Sequence, residues 1–259
     1  MRVSVDAVGV LAAGLQNWEI AKPVLAGQRG YIATPLDAPQ PAGLPAAERR
    51  RSSPTVRLAL AVAEQALQQT ALVPQEMAMV FSSYEAAGLI THQLCEVLAG
   101  SREVSPTQFH NSVHNAPSGY YSIAMNAKRA ASSVCRGKWS FAAGLLNAVA
   151  QVAADHVSVL YVCYDSPLPS PMCDVMPVLE STAIALVLTP EGGPSSLATW
   201  EVVITPRKGA AAWQNWVPTL WYANASARGF AALELLAGSD CVTASLPLSP
   251  ELNLEVTRC

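Results

Sequence analysis

The chain has 259 residues, 51% of them apolar, and its 16 Lys and Arg against 19 Asp and Glu leave a net charge of −3. That length and apolar share suit one large domain or two small ones around a sizeable core, and the sparse charge excludes the phosphate neutralisation that nucleic-acid binding requires. No run reaches the roughly 18 uninterrupted apolar residues of a membrane span, and MRVSVDAVGV lacks the apolar core and cleavage site of a secretory signal. The six cysteines are irregularly spaced without a CxxC pair, which fits reduced thiols in a cytoplasmic protein.

Val3 to Leu11 alternates and then runs apolar, predicting a strand; Asn17 to Leu25 follows as a short helix stopped by Gly27. Gly30 to Arg51 turns rich in Pro, Ala and Gly and is read as a loop, with Arg49, Arg50 and Arg51 as a solvated approach to the next helix. Ser53 before Pro54 marks that helix start, because the hydroxyl caps free N–H groups and proline lacks one. Val56, Leu60, Ala63 and Leu67 then share a face. Met77 to Phe81 predicts a buried strand. It leads to a helix from about Ala86 to Leu98, with Leu89, Ile90, Leu94, Val97 and Leu98 inward and Gly100 as its end.

Pro117-Ser118-Gly119 opens a helix running through Asn126, and Ala131 to Val134 is a short strand. The helix from about Lys138 to Ala154 presents Phe141, Leu145, Leu146, Val149 and Val152 to the core. Val157 to Cys163 follows as a strand covered on both faces. The Pro-dense stretch SPLPSPMCDVMP is expected to lack regular structure. Thr182 to Leu188 and Trp200 to Thr205 predict two more strands, and the tail a helix near Ala225 to Leu236 and strands near Cys241 to Leu246 and Leu252 to Val256. Strands and helices in alternation favour a layered α-β-α arrangement with a mixed, mainly parallel sheet.

One turn carries the chemical argument. Between Ser132 and Ser140 a buried strand passes straight into an apolar helix, whose free N–H groups and positive dipole end make a seat for a thiolate or an acyl oxygen. His110 and His114 stand four apart, a spacing that on a helix can present two zinc ligands, but the flanking Pro106 and Pro117 and the lack of a third ligand argue against a metal. Neither GxGxxG nor GxxxxGK[ST] occurs, so no nucleotide cofactor is expected. Trp213, Trp216 and Trp221 form either a partner surface or a core cluster.

SPTQFHNSVHNAPSGYYSIAM, KRAASSVCRGKWSFAAGLLNA and VSVLYVCYDSPLP together resemble the N-terminal half of β-ketoacyl synthases of the thiolase fold, and most closely the short chain-length factors of polyketide and aryl polyene pathways. The resemblance runs from about Val3 to Pro190, leaving residues 191–259 as additional strands and a helix within one domain. In that family a cysteine at the strand-to-helix turn carries the acyl chain, and two histidines from the C-terminal half stabilise the malonyl group and the oxyanion. This sequence is not expected to supply that half. Of His92, His110, His114 and His156 only the last follows the turn, outside any HGTGT-like or GHxxG-like segment. For the nucleophile position the strand end points to Cys135 and the phase of SFAAGLLNA to about Lys138, and neither stands in a small-Cys-small elbow. The resemblance therefore implies no catalytic residue, no cofactor and no metal.

It further implies that Ala131, Ser132, Ser133 and Val134 pair with the equivalent strand of a complete β-ketoacyl synthase. Asn111, Ser112, Val113, His114 and Asn115, followed by Tyr120, Tyr121, Ile123 and Ala124, would close the far end of the partner's acyl tunnel. Bulk there limits chain length by steric overlap. An acyl carrier protein would engage the pair. A rival expectation is an acyl-transferring or thioester-cleaving enzyme with Cys135 as nucleophile and His110 or His114 as base; another is a carrier-binding scaffold without a tunnel role.

Overall fold

The computed structural model describes every residue except 195, 208–212 and 239–241, so Cys241 of the expected tail strand lies outside the described residues. The first strand, β1 (Arg2–Ala12), is apolar almost throughout because both of its faces are covered. A bulge between Val5 and Ala7 shifts its phase, so that Val3, Val5, Val8 and Val10 all reach one core while Ala7 and Leu11 reach the other. Asp6 at the bulge accepts hydrogen bonds from the hydroxyls of Thr189 at 3.2 Å and Ser196 at 2.6 Å.

The other strands are β2 (Ala78–Ser83), β3 (Ala131–Cys135), β4 (Val159–Asp165), β5 (Thr182–Thr189), β6 (Ala198–Pro206), β7 (Thr243–Pro247) and β8 (Leu252–Arg258). They form one sheet in the order β3-β2-β4-β5-β1-β6-β8-β7. Only β2 with β3 and β2 with β4 pair in parallel; the other five neighbour pairs are antiparallel. The sheet is mixed, as expected, but not mainly parallel. Strand β5 returns antiparallel against β4 after the Pro-dense crossing, β1 lies between β5 and β6, and β7 and β8 form a hairpin. The tail thus extends the same sheet.

Two helical layers cover it. On one face lie α3 (Pro54–Leu67) and α6 (Ala116–Met125); on the other lie α1 (Trp18–Leu25), α7 (Ser140–Asp155) and α9 (Phe230–Ala237). Ser53 caps α3 as its sequence requires, its hydroxyl accepting from the Val56 N–H at 3.2 Å. In α7, Phe141, Leu145, Val149 and Val152 are fully buried and Leu146 is half-buried. A Cβ on Gly144 would stand 2.6 Å from Tyr161 Cε2 and 2.7 Å from Ser82 Oγ, so only glycine lets this helix lie so close to β2 and β4. Strand β4 is buried along its whole length, with Tyr161 and Cys163 in one core and Leu160, Val162 and Tyr164 in the other.

Three local expectations are corrected. Residues Ala46–Arg51 are a one-and-a-half-turn helix, α2, and not loop; Glu48 in the first turn and the three arginines in the last complement the helix dipole. The apolar side of α4 (Gly88–Ala99) does not reach the core: Leu89, Ile90, Leu94 and Val97 are half-buried and Leu98 is 54% exposed, because the helix packs mainly on α5 (Pro106–Asn111) and not on the sheet. The Pro-dense crossing holds a single helical turn, α8 (Met172–Val175), in a stretch that the prolines flank without interrupting. The tryptophans resolve toward packing: Trp221 is fully buried against Phe230, with ring centroids 5.5 Å apart, and Trp216 meets both edge-on.

Candidate functional site

Strand β3 is one edge of the sheet, β7 being the other, with β2 on one side and no strand on the other among the described residues. Its residues Ala131 to Cys135 are half-buried or exposed, unlike the fully covered β2 and β4. The backbone N–H and C=O groups on the open side are a ready template for another strand. Helix α6 leans over this edge, and Ser118 and Ser133 bring their hydroxyls to 3.4 Å. From the other face, Gln151 of α7 donates to Ser132 Oγ at 3.4 Å.

After Cys135 the chain turns through Arg136, Gly137, Lys138 and Trp139 before α7 begins at Ser140. Gly137 adopts φ +55, the left-handed region that glycine enters without strain. Ser140 Oγ accepts from the Arg136 N–H at 2.8 Å and donates to the Gly137 carbonyl at 2.7 Å, closing the turn on itself. Helix α7 is anchored below by Tyr161, whose hydroxyl donates to the Phe141 carbonyl at 2.6 Å and lies 3.0 Å from Ser82 Oγ.

In this frame the Cys135 thiol donates to the Tyr84 carbonyl at 3.0 Å. Donation requires the protonated thiol. Desolvation pushes its pKa up, and the negative charges of Glu85 and Asp165 push it further, while a backbone hydrogen bond from Gly137 pulls it down. The thiol sits before the turn and not on the first turn of α7, so the helix dipole is not spent on it. Lys138 is exposed, with its ammonium 5.3 Å from the Trp139 ring. No imidazole hydrogen-bonds Cys135 among the described residues: the His110 ring lies edge-on to Tyr120 at 5.9 Å, and His114 Nε2 is buried without a partner. His110 belongs to α5 and His114 to the turn after it, so the two do not share a helix face.

The segment expected to face a partner divides into two. Asn111 is buried and tethers α5 to α2, its amide donating to the Arg51 carbonyl at 2.8 Å and the Thr107 carbonyl at 2.9 Å. Tyr120 and Tyr121, expected on the partner side, are buried in this chain's own core, with Tyr121 against Phe81 at 5.7 Å between ring centroids. Helical phase explains the correction, because the face of α6 that meets α3 and β2 carries them both. Ala124 packs half-buried against the same core. Ser112 is half-buried, Asn115 is exposed, and Phe109, Val113 and Ile123 present apolar surface at 63%, 40% and 55% exposure. Ile123 and one edge of Tyr120 border a recess of about 370 Å³ with Glu48, Arg51, Pro106, Thr107 and His110.

A polar knot missed in the sequence holds the region behind the turn. Asp165, at the end of β4, is buried; its Oδ1 accepts from the Tyr84 N–H at 2.7 Å, and its Oδ2 accepts from the Ser226 N–H at 2.7 Å and hydroxyl at 2.6 Å. Thr182 Oγ1 lies 2.5 Å from the Ser226 hydroxyl and accepts from the Asn224 amide at 2.8 Å. Tyr84 is the shared point: its N–H is bound by Asp165 and its carbonyl by Cys135. Burial raises the Asp165 pKa, against the pull of these donors. The one legible sign of this site is an acid closing an otherwise apolar strand, VLYVCYD.

The profile of the β-ketoacyl synthase N-terminal domain matches residues 26–221, starting later and reaching farther than the expected 3–190. Among solved structures, a chain of the ketosynthase (ApeO) in complex with its chain length factor (ApeC) from Xenorhabdus doucetiae aligns over all of both chains with a TM-score of 0.75 and 23% identity. A chain of the type II ketosynthase complex AntDE with its acyl-carrier protein AntF aligns at 0.62 and 16% identity, over 80% of this chain and 70% of that one. The ishigamide ketosynthase/chain length factor aligns at 0.59 and 14%, over 78% and 63%. At these identities the likeness is one of fold. No curated protein sequence matches. Among the described residues no helix is long and apolar enough to cross a membrane.

Proposed function

The chain belongs to the β-ketoacyl synthase N-terminal domain family, and from that premise we propose that it is a non-catalytic, chain-length-factor-like subunit that pairs with a complete β-ketoacyl synthase. The observation that carries this reading is the nucleophile turn. Its thiol donates to the Tyr84 carbonyl, burial pushes its pKa upward, and no imidazole hydrogen-bonds it among the described residues. A thiol with a raised pKa and no neighbouring base is a poor nucleophile toward a thioester. The thiol ends an open strand edge, and the chain also exposes the apolar side chains of Phe109, Val113 and Ile123, surface that a permanent partner would cover.

Pairing along β3 would place the outward side of α6 at the partner's acyl tunnel. Ile123 is the exposed bulky residue of that helix and the candidate for the tunnel floor. Tyr120 and Tyr121 support it from inside the chain. The product class is an acyl or polyketide chain built by the partner, aryl polyenes included, with the acyl carrier protein docking on the pair. The complexes of similar fold in which a ketosynthase stands with a chain length factor support the assignment.

Co-expression with a candidate ketosynthase tests the reading. A one-to-one complex by size exclusion with light scattering is expected, and its loss on Ser133→Pro, which removes a β3 backbone donor, is the expected control. Separate elution of the two chains under all conditions overturns the proposal.

A further inference from the structure

The open edge strand is bracketed by positive charge at both ends. Lys128 and Arg129 precede β3, Arg136 and Lys138 follow it, and all four are exposed. None has a carboxylate within ion-pair distance among the described residues. The acids felt at the Cys135 end are Glu85 and the buried Asp165, and Asp165 is committed to Tyr84 and Ser226. In a chain with only 16 basic residues and a net charge of −3, four cations at the ends of one five-residue strand are a local reversal of sign.

Symmetry gives this placement a consequence. Two copies of one strand that pair edge to edge about a two-fold axis run antiparallel. Centred on Ser133, such a pair sets Ala131 opposite Cys135 and carries each copy's Lys128–Arg129 end to the other copy's Arg136–Lys138 end. Both ends of a homodimer would then set cations against cations, and like charges directly opposite destabilise strand pairing. A strand flanked by carboxylates at both ends meets the same edge with attraction.

Resting on the reading of β3 as the partner edge, we infer that Lys128, Arg129, Arg136 and Lys138 select the partner: they oppose self-pairing and favour a non-identical subunit whose own edge strand carries acidic residues at both ends. The exposed apolar side chains of Phe109, Val113 and Ile123 would attract a second copy as readily as a different chain, so discrimination falls to the charges.

Charge reversal at one end tests this without any ketosynthase. In Lys128→Glu/Arg129→Glu the two ends become opposite in sign, so antiparallel self-pairing turns complementary; Arg136→Glu/Lys138→Glu does the same by the mirror route. Sedimentation velocity should show the wild type largely monomeric at about 50 mM salt and each double variant self-associating roughly tenfold to a hundredfold more tightly, as summed exposed pairs allow, with the gain fading near 500 mM. Reversing all four residues should restore the monomer and weaken a ketosynthase complex. Two double variants that associate no more than the wild type overturn the inference, as does a gain insensitive to salt. If the double variants associate as expected but no ketosynthase binds, the charge selection stands and the subunit assignment falls. If a ketosynthase binds one-to-one and the double variants stay monomeric, the assignment stands and the charge selection falls.

Discussion

Ser226→Ala probes the knot that joins the tail of the chain to the nucleophile turn. The substitution keeps the Ser226 N–H on Asp165 but deletes the hydroxyl donor at 2.6 Å and the group that Thr182 Oγ1 meets. A hydrogen bond to a charged acceptor is worth about 1.5–3 kcal/mol. At about 2–4 °C of Tm per kcal/mol for a domain of this size, the expected loss near neutral pH is roughly 3–12 °C. The pH dependence identifies the acceptor. Asp165 already has a raised folded pKa, and its largest downward pull comes from the Ser226 hydroxyl, so the variant raises it further. A raised carboxyl contributes stability that is present below its unfolded value of 3.8 and lost as pH rises through the folded value. The gap between wild type and variant should therefore be small near pH 4 and widen toward neutrality. Circular-dichroism melts across that range are the assay. A deficit equal at every pH would mean that the loss is packing and not charge, and would refute the account of Asp165 as the acceptor that ties Tyr84 to Ser226.

Three further substitutions probe the layers around the turn. Gly144→Ala should cost about 1–3 kcal/mol in chemical denaturation, because its Cβ must displace Tyr161 and Ser82 side chains that stand 2.6–2.8 Å away; a neutral result would mean that α7 is not pressed onto β2 and β4. Tyr121→Phe should be neutral or stabilising by up to about 1 kcal/mol, since its buried hydroxyl has no partner among the described residues and burial pushes its pKa up; a clear loss would point to a partner for that hydroxyl. In the reconstituted pair, Ile123→Ala should lengthen the product with the rate little changed, read by mass spectrometry of the chains released, and unchanged length would remove Ile123 as the floor.

Much of the architecture was legible because its signals are local. Ser53 with Pro54 marks the start of α3, the unbroken apolar run of β4 announces cover on both faces, and the spacing of Phe141, Leu145, Val149 and Val152 sets the buried side of α7. What misled was non-local. Apolar spacing in α4 cannot say whether a sheet lies beneath it, and here the helix sits out on α5. The strand-helix alternation hides that β1 is inserted between β5 and β6 and that β4 with β5, β6 with β8 and β7 with β8 also pair antiparallel. The motif names Tyr120 and Tyr121 but not the direction in which the helix turns them, which is toward this chain's own core. The Asp165 knot draws on Tyr84, Thr182, Asn224 and Ser226, positions too far apart in the chain for any spacing rule to join. The turn itself was found from the sequence; the state of its thiol depends on the Tyr84 carbonyl 51 residues away.

The central claim is that condensation belongs to the partner and this chain supplies surface and shape. The direct measurement is malonyl thioester condensation by the purified chain alone, by its complex with a complete ketosynthase, and by the same complex carrying Cys135→Ala in this chain. The account predicts no product from the chain alone and equal rates from the two complexes. Condensation by the isolated chain, or a complex silenced by Cys135→Ala, would contradict it.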